Sequence, residues 1–465
     1  MDFTARFLPS GRRACRVIFS LAATVIALPY AIAGGSPVSQ DGLEKIAPGE
    51  YQCFYLVNGR VRGVGSNRTG ELGIGFGSSL PGVPAVDAKL PSDVRFVDVA
   101  AGGYHGLALD STGRVWTWGS NAFGQRGDGS PVEQPGVPLK DDGGLPAIIP
   151  TDIAGNAFGD VVQIEAGLCA DVALKRDGTV WVWGQNSAEC AGLAGNGDVA
   201  TAFIQRPSQV VFQPGVHIVQ VSMNSHFVMG RDSEGRVWSW GGGADSKEDR
   251  GSDTGDFGRP HRVLNLPPVQ DVCAGDRFAY ALDANGDLWG WGAEGTYLGL
   301  GQPEGGWFPQ GLPKKLDFPE FGGLKVKQVA VSAHSTHVIL SDGSLWGWGD
   351  SALGEVGNGR VLDFSRRNYT WDWHKFDLMM FRPVRIAPEE HNFKTIYSHA
   401  LCFYCYAMTA DGRIFSWGRN KTGILGNDVL PSGDQANHPD SWNVALATEV
   451  SPLTVKRARS VPSKP

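Results

Sequence analysis

AGGYHGLALDSTGRVWTWGSN, residues 101–121, holds one complete hairpin repeat. Leading into it, Val97, Val99 and Ala101 alternate with polar or small residues, the pattern of a half-buried strand. Gly102-Gly103 permits a sharp turn, residues 105–109 make the next strand, and residues 110–113 close a tight hairpin. Residues 115–119 return antiparallel with Trp116 and Trp118 on one face, and a Gly-rich loop follows.

The returning strand recurs along the chain. Its copies are GRVRGVG at 59–65, GRVWTWG at 113–119, GTVWVWG at 178–184, GRVWSWG at 235–241, GDLWGWG at 286–292, GSLWGWG at 343–349 and GRIFSWG at 412–418. Successive leading glycines lie 54, 65, 57, 51, 57 and 69 residues apart. Units this small cannot bury an apolar face alone, and short strands at this period describe a radial array. The expected fold is all-β, a seven-bladed β-propeller of about four-stranded antiparallel blades, closed by strands from both chain ends. The strand near 449–455 is expected to complete the blade containing residues 46–65. Eleven of the 15 Trp lie inside the copies, so the aromatic excess is expected to fill wedges between blades rather than bind a ligand. The Gly ending each copy is expected to let backbones approach where blades converge.

The N-terminus reads as a processing segment. Arg6, Arg12, Arg13 and Arg16 form a basic region, residues 17–28 are apolar, and Ala31-Ile32-Ala33 offers small residues at a cleavage site. Twelve apolar residues are too few to span a bilayer. The expected organisation is a cleavable signal peptide at 1–33, a short lead at 34–45, the propeller at 46–456 and a flexible tail at 457–465. An exported protein, periplasmic or extracellular, follows, with no transmembrane anchor after cleavage. Loss of residues 1–33 removes four Arg and one Asp from the 41 basic and 48 acidic residues, leaving a net charge of −10. General nucleic-acid binding, which needs a basic footprint, is not expected.

Six cysteines remain after cleavage, and an even number in an exported chain permits disulfides. Cys169 and Cys190 flank one hairpin, and Cys402 and Cys405 form a C-x-x-C; these four are the disulfide candidates. His399-x-x-Cys402-x-x-Cys405 lacks a second ligand pair at zinc-site spacing, so no metal is expected. No G-x-S-x-G, P-loop or H-E-x-x-H stands in the sequence, so no catalytic residue and no cofactor are assigned.

The pattern A-G-x-x-H-x-x-A-L-x-x-x-G-x-V-W-x-W-G-x-N, carried by residues 101–121, 166–186 and 274–292, resembles the regulator of chromosome condensation repeat family. That resemblance covers all seven units and implies a seven-bladed propeller. Its founding member is a nucleotide exchange factor for a small GTPase and contacts chromatin, and exported bacterial relatives include an inhibitor that binds its target through one propeller face. Exchange in the family relies on acidic and histidine residues before the inner hairpin. Here the corresponding position reads His105, Ala170, His226, Phe278, Thr336 and Tyr404 in repeats two to seven, without a continuous His/Asp set.

Function is expected where the repeats differ. Residues 127–160 read as a solvated connection. Residues 359–383 hold Arg366, Arg367, Tyr369, Trp371, Trp373, His374 and Phe376, types enriched at interface cores; packing on their own blade is the alternative. The turns before the inner hairpins gather Tyr104, His105, Asp171, His226, Arg277, Phe278, His334, His337, Phe403 and Tyr404. Local turn stabilisation is the competing reading there. The leading expectation is an exported, non-enzymatic, monomeric propeller that binds a protein partner as an inhibitor or scaffold. The alternatives are a guanine-nucleotide exchange factor, delivered as a secreted effector, and a propeller hydrolase or lyase.

Overall fold

Among the described residues, twenty-eight strands pair into seven four-stranded antiparallel sheets, each built from four strands consecutive in sequence. The structure is a computed structural model that describes residues 42–78, 82–132, 144–187, 190, 192–224, 227–242, 251, 256–292, 295–301, 310–361, 378–386, 392–399, 401–420, 422–425 and 444–450. The blades span 43–87, 96–148, 161–209, 218–262, 269–315, 326–385 and 393–450. The innermost strands are Leu43–Pro48, Phe96–Ala101, Val161–Ala166, Ile218–Met223, Val269–Ala274, Val326–Val331 and Phe393–Ser398, which pack on one another around the axis.

Each leading glycine of the repeated strand has positive φ, from 71° at Gly59 to 88° at Gly412, which a side chain tolerates poorly. The preceding Asp shapes the same turn: Asp110 Oδ1 accepts from Thr112 N at 2.9 Å and Arg114 N at 3.2 Å. The closing glycine answers a different demand from the expected one. A Cβ on Gly418 would stand 2.4 Å from Phe403 O, and one on Gly119 would stand 2.7 Å from Tyr104 O. The close approach is therefore within one blade, to the turn that joins its first two strands, and not between blades.

The two tryptophans of each copy divide their work. The second crosses the seam: Trp118 Nε1 donates to Glu71 O at 2.7 Å, Trp183 to Gln125 O at 2.9 Å, Trp240 to Leu193 O at 3.1 Å, Trp348 to Tyr297 O at 2.8 Å and Trp417 to Glu355 O at 2.9 Å. Each acceptor belongs to the preceding blade. The first stays at home, with Trp116 and Trp238 bonding the turn carboxylates of Asp110 (3.1 Å) and Asp232 (2.9 Å). Its ring nevertheless lies in the wedge, against the inter-blade connections at Phe158 (Trp181), Phe212 (Trp238) and Phe321 (Trp346), so both fill it as expected.

Closure departs from the expected strand exchange. Val444–Val450 pairs with Ile414–Gly418 and completes the last blade, while the first blade is made wholly of residues 43–87. The two chain ends meet as neighbouring blades. At this seam Arg62 and Val64 occupy the tryptophan positions, and tyrosines replace the clamp. Tyr55 Oη lies 2.8 Å from Tyr406 Oη, and the Tyr406 hydroxyl donates to Ile424 O. Tyr404 Oη donates to Gly49 O (2.9 Å) and Gln52 O (3.0 Å) in the first blade. Direct packing closes the ring because these buried phenols join one apolar cluster with Leu43, Ile46 and Ile424.

Every innermost strand also carries a one-residue bulge, at Glu44, Val97, Val162, Val219, Gln270, Lys327 and Lys394. The bulge re-aims its side chain. It turns Val97 out to 44% exposure while Phe96 and Val99 are fully buried, so the expected Val97–Val99–Ala101 face is broken at its first member.

Candidate protein-binding face

In six of the blades the turn between the first two strands brings one described residue to the same mouth of the axis. Its carbonyl accepts from the residue that follows the closing glycine: Ser66 N to Tyr51 O at 2.7 Å, Ser120 N to Tyr104 O at 3.0 Å, Gln185 N to Cys169 O at 2.8 Å, Asp350 N to His334 O at 2.9 Å and Arg419 N to Phe403 O at 2.8 Å. Arg277 occupies the same place in the fifth blade, where its carbonyl crowds Gly292. Tyr51, Tyr104, Arg277, His334 and Phe403 are half-buried at this rim, and Cys169 is buried.

The mouth has an apolar floor. Leu401 from the last blade joins Leu168 and Cys169 of the third in one cluster, against which Tyr104 and Phe123 pack. Blades seven and three are not neighbours in the ring, so Leu401 reaches across the axis. Around that floor the rim side chains contact one another. Tyr51 and Tyr104 have ring centroids 5.4 Å apart, His334 and Phe403 5.3 Å apart, and His334 stacks on Tyr297 at 5.8 Å with an interplanar angle of 9°. Arg419 lies over Phe403 at 5.4 Å. Glu50, 4% exposed, stands beside Tyr51, and burial pushes its carboxyl up to about 8 against the pull of the Tyr51 hydrogen bond and Arg419.

The turns are tied together. Gln52 Nε2 donates to Gly102 O at 2.9 Å and His105 O at 3.1 Å, Gly103 N to Gly167 O at 3.3 Å, and Ala333 N to Cys402 O at 2.9 Å. His105 Nε2 meets Asp171 Oδ1 at 2.7 Å, both side chains fully buried, and burial raises the Asp171 carboxyl. This frame fixes the rim in place, as a binding surface on rigid elements requires.

The residues proposed from sequence separate into two groups. Tyr104, Arg277, His334 and Phe403 stand on the rim. His105, Asp171, Phe278, His337 and Tyr404 are buried among the blades, where His337, pushed down to about 4 by burial, lies beside Cys405 and Trp417. His226 lies outside the described residues, as do Arg366, Arg367, Tyr369, Trp371, Trp373, His374 and Phe376. The sequence register needed correction in two blades: the residues opposite the closing glycine are Phe227 and Ser335, not His226 and Thr336. Tyr51, Glu50 and Arg419 were missed. Counting fifteen residues back from Gly65, as from Gly119 to Tyr104, lands on Glu50, because the hairpin of the first blade is one residue shorter; the pairing of Gln52 with Gly65 is what places Tyr51 beside Tyr104.

All six cysteines within the described residues are buried free thiols, so neither candidate pair, Cys169–Cys190 or Cys402–Cys405, is bridged. Local hydrogen bonds hold the second pair instead: Cys402 Sγ donates to His399 O at 2.5 Å, and Cys405 Sγ to Ser398 Oγ at 3.2 Å. Among the described residues no group of three or more His, Cys, Asp or Glu is arranged to hold a metal ion, and no helix is long and apolar enough to cross a membrane.

Residues 60–459 match the RCC1-like domain. This chain belongs to that family. Among RCC1-like relatives it is 26% identical to the ultraviolet-B receptor UVR8 of Arabidopsis thaliana over 368 residues, covering 77% of this chain and 74% of the receptor. The guanine nucleotide exchange factor SRM1 of Saccharomyces cerevisiae is 26% identical over 372 residues, 74% of each chain. A 29% identity over 321 residues, 68% of this chain, links it to the human E3 ubiquitin-protein ligase HERC2, of whose length it spans 6%. The solved structure of Prp20p from Saccharomyces cerevisiae, described with its binding to Gsp1p and histones, superimposes with a TM-score of 0.65 at 23% identity, covering 89% of this chain and 87% of that one. Human WBSCR16 gives 0.62 at 18% identity, covering 80% and 88%. These superpositions establish the shared propeller.

Proposed function

We propose that this RCC1-like chain is an exported, non-enzymatic propeller that binds a protein partner through the turn-side mouth, with residues 359–383 as a second contact. One observation carries the reading: half-buried aromatic and charged side chains from successive turns surround an apolar floor, on a frame that hydrogen bonds hold in place. Tyr, Phe and Arg in such a setting are the types that dominate interface energetics. Relatives described in complex with proteins, such as yeast RCC1 with Kap60, support a protein partner as the class. Export rests on the basic, apolar and small-residue order of residues 1–33, and N-terminal sequencing of the secreted protein should begin at Gly34.

The binding reading is tested by affinity capture from periplasm or medium with wild-type, His334→Ala and Phe403→Ala proteins. Loss of the same captured partner with the rim variants is expected. Retention in both sinks the turn-side assignment, and Trp371→Ala with Trp373→Ala tests the second contact in the same way. Exchange activity is the second reading, favoured by the identity to SRM1. It predicts faster release of labelled nucleotide from purified small GTPases, and an unchanged rate excludes it for the GTPases assayed.

A further inference from the structure

Six of the seven seams between blades are crossed by the chain itself. At each of them the leading glycine of one blade's hairpin accepts from the first residue of the next inner strand, as in Phe96 N to Gly59 O at 3.0 Å, Val161 N to Gly113 O at 3.1 Å and Phe393 N to Gly343 O at 2.9 Å. At five a buried tryptophan adds its bond to the preceding blade, from Trp118, Trp183, Trp240, Trp348 and Trp417. The seventh seam, between the last blade and the first, has neither the chain nor a tryptophan among the described residues. Ile424 stands six residues beyond Gly418, as Glu71 stands beyond Gly65, Gln125 beyond Gly119 and Glu355 beyond Gly349. Its carbonyl is therefore the one that a tryptophan of the first blade would reach, but Val64 holds that tryptophan's position. The Tyr406 hydroxyl, from the same blade as Ile424, donates to it instead.

With its single proton committed there, Tyr406 can only accept from Tyr55, 2.8 Å away. Further polar ties across the seam fall on the turn at 49–52: Tyr404 Oη to Gly49 O and Gln52 O, and Thr422 Oγ1 to Tyr51 O at 3.1 Å. That turn carries Tyr51 to the rim. Prying apart any other pair of neighbouring blades strains the connection that joins them, whereas these two blades can part with every strand pairing intact. Local opening takes place where the fewest interactions must break.

We propose that the propeller opens and recloses at this seam alone, and that the partner-binding mouth is complete only in the shut ring. The second half rests on the protein-binding reading above; the first does not. Opening draws Tyr404, Tyr406 and Ile424 away from Tyr55 and from the 49–52 turn. Gln52 Nε2 still bonds Gly102 O and His105 O of the second blade, so the turn stays with its own side and carries Tyr51 away from Phe403. A partner that touches both sides of the seam binds the shut ring better than the open one, and so holds it closed.

Four buried thiols report on the seams separately. Cys53 of the first blade and Cys402 of the last share the closing cluster. Cys405 faces the sixth blade, 3.3 Å from His337 Nδ1, and Cys273 joins the cluster between the fifth and sixth blades. The test exposes the whole protein to N-ethylmaleimide without denaturant and follows the labelled fraction of each cysteine by peptide mass spectrometry. Cys53 and Cys402 should label together, at least tenfold faster than Cys405 and Cys273. Tyr406→Phe should speed the first pair about tenfold and leave the second pair unchanged. Equal rates at all four, Cys402 fast without Cys53, or Cys405 as fast as Cys402 overturns the single opening seam. The wild-type comparison needs no variant, so it stands even where Tyr406→Phe does not fold. Protein labelled at Cys53 and Cys402 cannot reclose and should lose the partner that unlabelled protein captures. A chain with Cys53→Ala and Cys402→Ala, treated alike, should keep it, which separates the seam from labelling at Cys169 in the floor of the mouth. Capture retained by the labelled wild type, or lost equally from both, keeps the opening seam and removes its link to the mouth. Equal labelling rates with capture lost in Phe403→Ala leave the protein-binding reading standing and remove the opening seam.

Discussion

The two mouths of the axis are built on equally regular backbones and carry opposite kinds of surface. On the turn side, Leu401 bridges to Leu168, and Tyr51, Tyr104, His334 and Phe403 make contacts with neighbouring rings. On the other side stand the seven bulge residues, apolar at Val97, Val162 and Val219 and cationic at Lys327 and Lys394. Among them Glu44 pairs with Arg95, next to the first strand of the second blade, at 2.7 Å. Both ends are tied from blade to blade by backbone hydrogen bonds, such as Phe96 N to Gly59 O at 3.0 Å on the bulge side, but only the turn side gathers aromatic side chains around an apolar floor. That difference is what supports the proposal that a partner binds at the first mouth and not at the second.

The turn mouth depends above all on the blades as the rigid frame that holds it. Trp348 is fully buried and donates across a seam to Tyr297 O at 2.8 Å, and Tyr297 stacks on rim residue His334. Trp348→Ala should lower unfolding free energy by about 3–5 kcal/mol and disorder the His334 side of the mouth, read by chemical denaturation and by partner capture together. A stable variant that also keeps its capture contradicts the link between seam and rim. Next in size is the rim itself: Phe403→Ala should weaken partner capture by about 2 kcal/mol or more, with the denaturation midpoint moving much less.

A third effect belongs to the axis between the mouths, where Lys45 meets Asp98 at 2.5 Å and Glu165 lies close by. Burial pushes Glu165 up to about 8, with Lys45 opposing, and Asp271 up to about 7. The folded chain keeps these protons where the unfolded chain has lost them, so stability falls as pH rises from the ordinary carboxyl range through about 7 to 8. His399 and His337, pushed down by burial to about 3 and about 4, act in the other direction: their contribution is lost as pH falls below 6.5. Denaturation midpoints should therefore peak on the mildly acidic side of neutrality. Glu165→Gln should flatten the alkaline decline, and an unchanged slope would falsify its assignment. The smallest effect is expected at the second mouth, where Val219→Ser and Lys327→Ser should each change stability and capture by no more than about 0.5 kcal/mol.

Most of the frame could be read from the sequence, because a Gly-led hairpin repeated seven times ties each strand pair to a turn residue and a tryptophan. The closure could not. Nothing in the strand at 444–450 distinguishes pairing with the last blade from pairing with the first, and the deciding contacts are Tyr55, Tyr404 and Tyr406, whose partners lie more than 300 residues away. Bulges were hidden for a related reason: an extra residue leaves the hydrophobic content of Phe96–Ala101 unchanged while turning Val97 outward. At the candidate site, Tyr104 and Phe403 were legible as departures between copies. Glu50 and Arg419 were not, since each precedes or follows a motif position and acquires meaning only when the first and last blades meet.

Photo-crosslinking distinguishes the two mouths. A photoreactive residue is placed at position 403 on the turn mouth or at position 219 on the bulge mouth, in the cells that make the protein. Adducts with another protein are expected from position 403 and not from 219. Adducts from 219 alone, or from neither position, contradict the assignment of binding to the turn mouth.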